Sequence, residues 1–269
     1  MPPTSAPLEA TSRRMSGMGI AAVLLFTIGL SGCSGPAAAD GRTVVVTVSA
    51  AASLGPAFSG LAAEFERTHP EVDVALNVGG SSELAAQIVE GAPADVFAAA
   101  NPATMATVVD AGLTASKPRI FASNVLSIAV APGNPHDIGG LGDLTDSSLV
   151  VVACAPAVPC GAVANTAASA AGISLALASE ELSVTDVLAK VISGEADAGL
   201  VYRTDVAAAD DSVDGVDLPE STATVTDYPI VALPSEPDDP ATRAAEQWID
   251  FVTGPTGRAA LDRLGFGAP

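Results

Sequence analysis

The feature that most constrains this chain is a recurring three-part unit. A short β-branched or apolar run leads into a turn of small and hydroxyl residues, and an apolar pattern at helical spacing follows. Thr43–Ser49 is the first such run. It passes through Ala50-Ala51-Ala52-Ser53 into Leu54, Phe58, Leu61 and Phe65 at helical spacing, with Pro70 beyond the helix end. Val72–Val78 then alternates as a strand. It runs into Gly79-Gly80-Ser81-Ser82, and Leu84, Ala85, Ile88 and Val89 mark a helix stopped by Gly91 and Pro93. Further strands are predicted at Asp95–Ala100, Val125–Ala131, Leu149–Cys154, Gly199–Tyr202 and Tyr228–Leu233. Helices are predicted around Val187, Leu188, Val191 and Ile192, around Trp248, Phe251 and Val252, and around Ala260, Leu261 and Leu264. Strands interleaved with helices imply parallel sheets covered on both faces, an α/β fold. The small, acidic run Ala207–Val216 reads as a solvated loop, and Trp248 reads as core.

The first residues read as targeting rather than fold. Arg13 and Arg14 precede an apolar run from Ile20 to Leu30 that suits the core of a secretory signal. Leu30-Ser31-Gly32-Cys33 resembles the lipobox of bacterial lipoproteins, which implies cleavage before Cys33 and lipidation of its sulfur. Residues 1–32 are thus expected to be a signal peptide with lipobox, and residues 33–41 a flexible tether. The formal charge is -20, and losing Arg13, Arg14 and Glu9 leaves the remainder more acidic still. Nucleic acid is therefore excluded as a partner.

Cys154 and Cys160, flanking Pro156 and Pro159, form a disulfide candidate in an oxidising compartment. Zinc is the competing reading and lacks ligands, because His69 and His136 are the sole histidines and have no close-spaced partners.

Ligands of open α/β folds bind beyond the C-terminal ends of strands, where helix N-termini point. Four hydroxyl-rich or Pro/Gly-rich turns lie at such places: Ala50–Ser53, Gly79–Ser82, Pro159-Cys160-Gly161 and Ser183-Val-Thr-Asp186, the last resembling a capping box. Helix N-termini carry unpaired N–H groups and partial positive charge, so these turns suit an oxyanion. A serine at such a turn is ordinarily only an N-cap, and a tyrosine at a strand end, such as Tyr202, is ordinarily only packing. Arg203 is expected to be solvated or paired with Asp205. An enzyme reading of Ser53 or Ser81 lacks a nearby base and any G-x-S-x-G elbow. A binding protein for an organic anion would offer an Arg or Asp to fix the charged group; these turns hold no Arg, and their one Asp, Asp186, has the capping-box place.

Val48-Ser-Ala-Ala-Ala-Ser-Leu54, Gly80-Ser-Ser-Glu-Leu84 with Gln87-Ile88, and Gly91-Ala-Pro-Ala-Asp-Val96 resemble the molybdate-binding proteins of ABC importers. Val158-Pro-Cys-Gly161, Asp186-Val187, Gly199-Leu-Val-Tyr202, Gly254-Pro-Thr-Gly-Arg258 and Leu264-Gly-Phe266 follow in the same order, so the resemblance covers nearly all of residues 42–267. It implies a type II periplasmic-binding-protein-like fold, two α/β lobes joined by two crossing strands. Lobe 1 would comprise residues 42–124 plus 229–269, and lobe 2 residues 125–228.

The resemblance also implies a ligand set. Ser53 and Ser81 would give hydroxyl and backbone N–H, Cys160 and Val187 backbone N–H, and Tyr202 its hydroxyl, with Ser82 ranked behind Ser81. At the position of Cys160 the family often has alanine, and a Cys154–Cys160 bridge would stiffen the loop that presents this N–H. The implied function is extracytoplasmic capture of molybdate, and of tungstate, by a monomer without cofactor or catalytic residues. It would be anchored by lipid to the outer face of the cell membrane and would deliver to an ABC permease with its cytoplasmic ATPase. The alternative is the same fold binding another oxyanion, with tungstate as the main ligand.

Overall fold

The computed structural model describes residues 43–219, 224–236 and 238–269. The expected signal peptide, the lipobox with Cys33 and the tether lie outside the described residues.

Strands β1 (Val44–Ala51), β2 (Val72–Gly79) and β3 (Val96–Ala98) form a parallel group with β1 in the middle. Helices α1 (Gly55–Thr68), α2 (Ser81–Val89) and α3 (Pro102–Asp110) follow them in turn. The long strand β4 (Arg119–Val130) opens a second group made of β5 (Val151–Cys154), β6 (Leu177–Glu181), β7 (Ala198–Tyr202) and β8 (Asp214–Asp217). Helices α4 (Pro159–Ala171), α5 (Val184–Ile192) and α6 (Arg203–Ala209) follow β5, β6 and β7. Strand β9 (Val225–Ala232) then returns to the first group, and α7 (Pro240–Thr253) and α8 (Pro255–Arg263) end the chain there.

The hydrogen-bonded order is β2-β1-β3-β9-β4-β7-β5-β6, with β8 beside β4. The sheets are mixed rather than purely parallel, and the cause is two strands that serve both groups. Strand β4 pairs antiparallel with β9 over Arg119–Val125 and with β7 over Leu126–Val130. Strand β9 pairs antiparallel with β3 through Ile230, Val231 and Ala232. These are the two crossing strands of the type II binding-protein fold. The expected limits after residues 124 and 228 fall inside them.

Packing follows strand alternation. Val96 and Ala98 face one cluster with Phe58, Phe65 and Trp248 from α1 and α7. Between them, Phe97 faces a second cluster with Leu84, Ile88 and Met105 from α2 and α3. Trp248 is fully buried, edge-on to Phe58 and Phe65 at 5.6 and 5.5 Å, so it is core as expected. The third cluster packs α4 and α5 on β5 and β7. Burying these apolar faces is what fixes the otherwise marginal short helices. The Gly-Ala-Pro-Ala-Asp run proves to be a splice between strands: the Asp95 carboxylate accepts the Thr47 N–H at 2.7 Å, and its carbonyl accepts Leu233 N–H at 2.8 Å.

One expectation needs correction and a second needs narrowing. The run Ala207–Val216 is not a plain loop: it completes α6, makes a short 3-10 turn at Asp210–Ser212 and enters β8. Its weak apolar pattern suffices because β8 is an edge strand held by main-chain pairing with β4. Arg203 is exposed, as its solvated alternative had it, and its ion pair is with Asp217 at 3.2 Å, not with Asp205, whose side chain is buried.

Candidate functional site

A small cavity of about 20 Å³ lies where strand ends of the two groups meet. Its lining includes Ala51 at the end of β1 with Ala52 and Ser53 in the 3-10 turn that follows, Gly80 and Ser81 after β2, and Ala100 after β3. From the second group come Pro159, Cys160, Leu182, Ser183, Val184 and Tyr202. No ionisable acid or base stands among these residues, apart from the phenol of Tyr202. A space this small has room for no more than a few heavy atoms. It is far below the few hundred Å³ typical of organic-ligand pockets. Grooves of about 330, 310 and 380 Å³ lie elsewhere, beside Phe266, Lys117 and His136, and none gathers helix N-termini.

Each lining segment is shaped by its local sequence. Gly80 is the N-cap of α2, so Ser81 occupies its first turn with a backbone N–H that has no intrahelical acceptor. Ser81 Oγ accepts Ala100 N–H at 3.1 Å, which leaves the hydroxyl proton free for another acceptor. In α4 the first position is Pro159, which has no N–H, so Cys160 supplies the first donor of that helix. Cys154 and Cys160 are disulfide-bonded with their Cα atoms 5.6 Å apart, closing the loop that delivers this donor.

The α5 terminus differs from the sequence-derived assignment. Ser183 is the N-cap, and its Oγ accepts Asp186 N–H at 3.3 Å. The free first-turn N–H groups are therefore those of Val184 and Thr185. Val187, the expected donor, lies one turn inside: its N–H goes to Ser183 carbonyl at 3.4 Å, and it does not line the cavity. Its side chain instead packs over Gly199, where a Cβ would come within 2.8 Å of Val187 Cγ1. The capping-box spacing Ser183…Asp186 contained the signal, because it sets Val184 as the first helical residue. Of the other expected residues, Ser53, Ser81, Cys160 and Tyr202 meet at the cavity. Ser82 does not; its Oγ donates to Ala157 carbonyl at 3.3 Å.

Tyr202 ends β7, and its hydroxyl is buried with no hydrogen-bond partner among the described residues. Burial pushes its pKa well above the usual phenol range, and nearby Tyr228 and the Asp205 carboxyl add to this. It is therefore a protonated donor at neutral pH. Tyr228 behaves alike: burial first and Asp205 second raise it, and the polar groups of Ser53, Asn124 and Tyr202 beside it offset part of the rise. Asp205 accepts Tyr202 N–H at 2.8 Å, but desolvation outweighs that bond and raises its pKa to about 7.

Behind the cavity sits a network that sequence reading missed. Ser53 Oγ lies 2.8 Å from Tyr228 Oη, and Asn124 Nδ2 donates to Tyr228 Oη at 3.3 Å and to Thr204 Oγ1 at 2.7 Å. All four residues are buried. Asn124 and Tyr228 belong to the crossing strands, and nothing in their sequence neighbourhoods marks them out.

The family model described as "Bacterial extracellular solute-binding protein" matches residues 46–267. The chain is also 45% identical over 239 residues to the molybdate-binding protein ModA of Mycobacterium tuberculosis, covering 89% of this chain and 90% of that one. The chain belongs to the ModA-like family of bacterial extracellular solute-binding proteins. Among solved structures, this solute-binding protein resembles the periplasmic molybdate-binding protein of Azotobacter vinelandii, with a TM-score of 0.72 at 22% identity over 83% of this chain and 99% of that one. It also resembles the sulfate-binding protein SubI of M. tuberculosis, with a TM-score of 0.70 at 17% identity over 83% of this chain and 86% of that one. These two likenesses concern the fold, and together they show that the fold does not choose the anion. The relatives of this solute-binding protein are transport proteins, not enzymes.

Proposed function

We propose that this protein captures molybdate, and tungstate of nearly equal size, and delivers it to an ABC permease driven by a cytoplasmic ATPase. Residues 42–124 plus 229–269 act as one lobe and residues 125–228 as the other, with the anion enclosed between them. The protein works as a monomer on the outer face of the cell membrane, held by a lipid on Cys33. The observation that carries the reading is the buried, unpartnered hydroxyl of Tyr202 beside a cavity of about 20 Å³ bordered by helix N-termini. A buried donor without an acceptor costs about 1–3 kcal/mol, and an anion in the cavity repays it.

The donors are Ser53 and Ser81 with their hydroxyls, Tyr202 with its phenol, and the N–H groups of Ser81, Cys160 and Val184. Charge-assisted hydrogen bonds from fixed neutral groups hold a dianion without a counter-cation. Selection then rests on size and donor geometry. Sulfate is a smaller tetrahedron and leaves donors out of reach, and protonated phosphate brings a hydrogen that a donor-lined site does not accommodate. The 45% identity to a protein named for molybdate binding supports the same ligand.

Calorimetric titration of the fragment starting after Cys33 tests this. One-to-one binding of molybdate and tungstate, with sulfate and phosphate silent, is the expected result. A folded fragment silent toward both metal oxyanions overturns the ligand assignment.

A further inference from the structure

The hydroxyl of Ser53 can point its proton either into the cavity or back toward Tyr228, and only the first orientation helps an anion. The network behind it settles the direction. Asn124 Oδ1 accepts Val125 N–H at 2.9 Å, so the amide cannot be turned round without setting two N–H groups face to face. Its Nδ2 therefore carries both donated hydrogens, one to Thr204 Oγ1 and one to Tyr228 Oη. Tyr228 Oη thus receives a hydrogen from Asn124 and needs an acceptor for its own. Ser53 Oγ, at 2.8 Å, is the shortest hydrogen-bond contact of Tyr228 Oη, shorter than the 3.3 Å to Asn124 Nδ2, and so takes that hydrogen. A phenol is also a better donor than an aliphatic alcohol and a poorer acceptor, which favours the same direction. With that lone pair of Ser53 occupied, its proton is left for the cavity, which Ser53 lines.

We propose that Asn124 and Tyr228 are positioning residues: they form a one-way relay, Asn124 Nδ2–H to Tyr228 Oη–H to Ser53 Oγ–H, that fixes Ser53 as a donor to the bound oxyanion. Hydrogen bonds in such a chain polarise one another, so Ser53 becomes a stronger donor than a lone serine. The relay also ties the site to the frame of the fold. Asn124 lies on β4, Tyr228 on β9 and Thr204 on α6, while Ser53 stands at the end of β1, so the orientation of Ser53 depends on residues of both crossing strands. This inference rests on the anion-binding reading of the cavity.

The test is a double-mutant cycle on the soluble fragment titrated with molybdate: wild type, Tyr228→Phe, Ser53→Ala and the pair. Binding by wild type is the control that keeps the two readings apart, since its failure strikes the ligand assignment. With wild-type binding in hand, Tyr228→Phe is expected to weaken affinity about tenfold. In the Ser53→Ala background the same change is expected to have almost no further effect, because the proton it orients is gone. Thermal unfolding of the anion-free variants reads any purely structural loss separately. Equal effects of Tyr228→Phe in both backgrounds, or no effect in either, overturn the relay.

Discussion

A Cβ placed on Gly80 would lie 2.6 Å from the carbonyl oxygen of Leu182. Gly80 sits before α2 and Leu182 before α5, so the two segments touch through backbone across the cavity mouth. The glycine is not needed for its dihedral freedom, because its φ of -60° and ψ of 126° suit any residue. It is needed for space.

Gly80→Ala is therefore expected to weaken molybdate binding by tenfold or more while leaving the anion-free fold at wild-type stability or slightly above it. The added methyl props the segments apart, and the donors of Cys160 and Val184 no longer reach an anion held by Ser81. Titration combined with thermal unfolding checks this, and unchanged affinity would show that the close approach is not required for binding.

The α5 terminus offers a substitution that removes one backbone donor, along with part of the buried packing of Val184, which thermal unfolding reads separately. Proline is tolerated at the first helical position, and Ser183 before it already has the extended backbone, φ -139° and ψ 156°, that a following proline requires. Val184→Pro should lower affinity about tenfold or more, the value of one hydrogen bond to a charged group. Val187→Ala should do the reverse. It should cost about 1–2 kcal/mol of stability by opening space above Gly199 and leave affinity near wild type. If Val187→Ala disrupts binding and Val184→Pro does not, the assignment of the donor is wrong.

The buried carboxyl of Asp205 makes a prediction about pH. Its folded pKa of about 7 lies above its ordinary value of 3.8. At pH values below the ordinary one it is protonated in both states and has no effect. As pH rises from about 4 to about 7, the unfolded chain releases the proton and the folded protein keeps it, so the folded state loses ground by a few kcal/mol in all. Above that range the deficit is constant. Asp205→Asn keeps an oxygen to accept Tyr202 N–H and removes the titration. Its denaturation midpoint should exceed the wild-type value at pH 8, with the gap closing toward pH 4. Parallel profiles for the two proteins would remove Asp205 as the cause.

The Cys154–Cys160 bridge closes a loop of six residues' separation just before the Cys160 donor. The same loop is crowded at Gly161, where a Cβ would fall 1.9 Å from the Ala155 carbonyl oxygen. Changing both cysteines to serine is expected to lower stability by about 2 kcal/mol, through the freedom returned to the unfolded chain. Affinity should fall several-fold, because α4 then presents its first N–H from a looser turn. Unaltered unfolding and unaltered titration of the double variant would leave the bridge without a role in either.

The sequence alone determined the alternation of strands and helices, the turns that end in Ser53, Ser81 and Cys160, and the place of Tyr202 at a strand end. These are local facts, written in β-branched runs, helical periodicity, glycine, proline and N-cap residues, and they are legible because each is decided within a few residues. Tertiary structure decided what depends on distant partners. It made the sheets mixed, since only the paths of β4 and β9 show that each pairs with two groups. It pulled β8 out of an unpromising acidic stretch, because an edge strand is stabilised by its neighbour rather than by its own pattern. It put Val184 rather than Val187 at the cavity, since Val187 packs over Gly199 and its N–H goes to the Ser183 carbonyl. And it placed Asn124 and Tyr228, 104 residues apart, behind Ser53, where hydrogen-bond direction follows from how many donors and acceptors three-dimensional neighbours bring to one point.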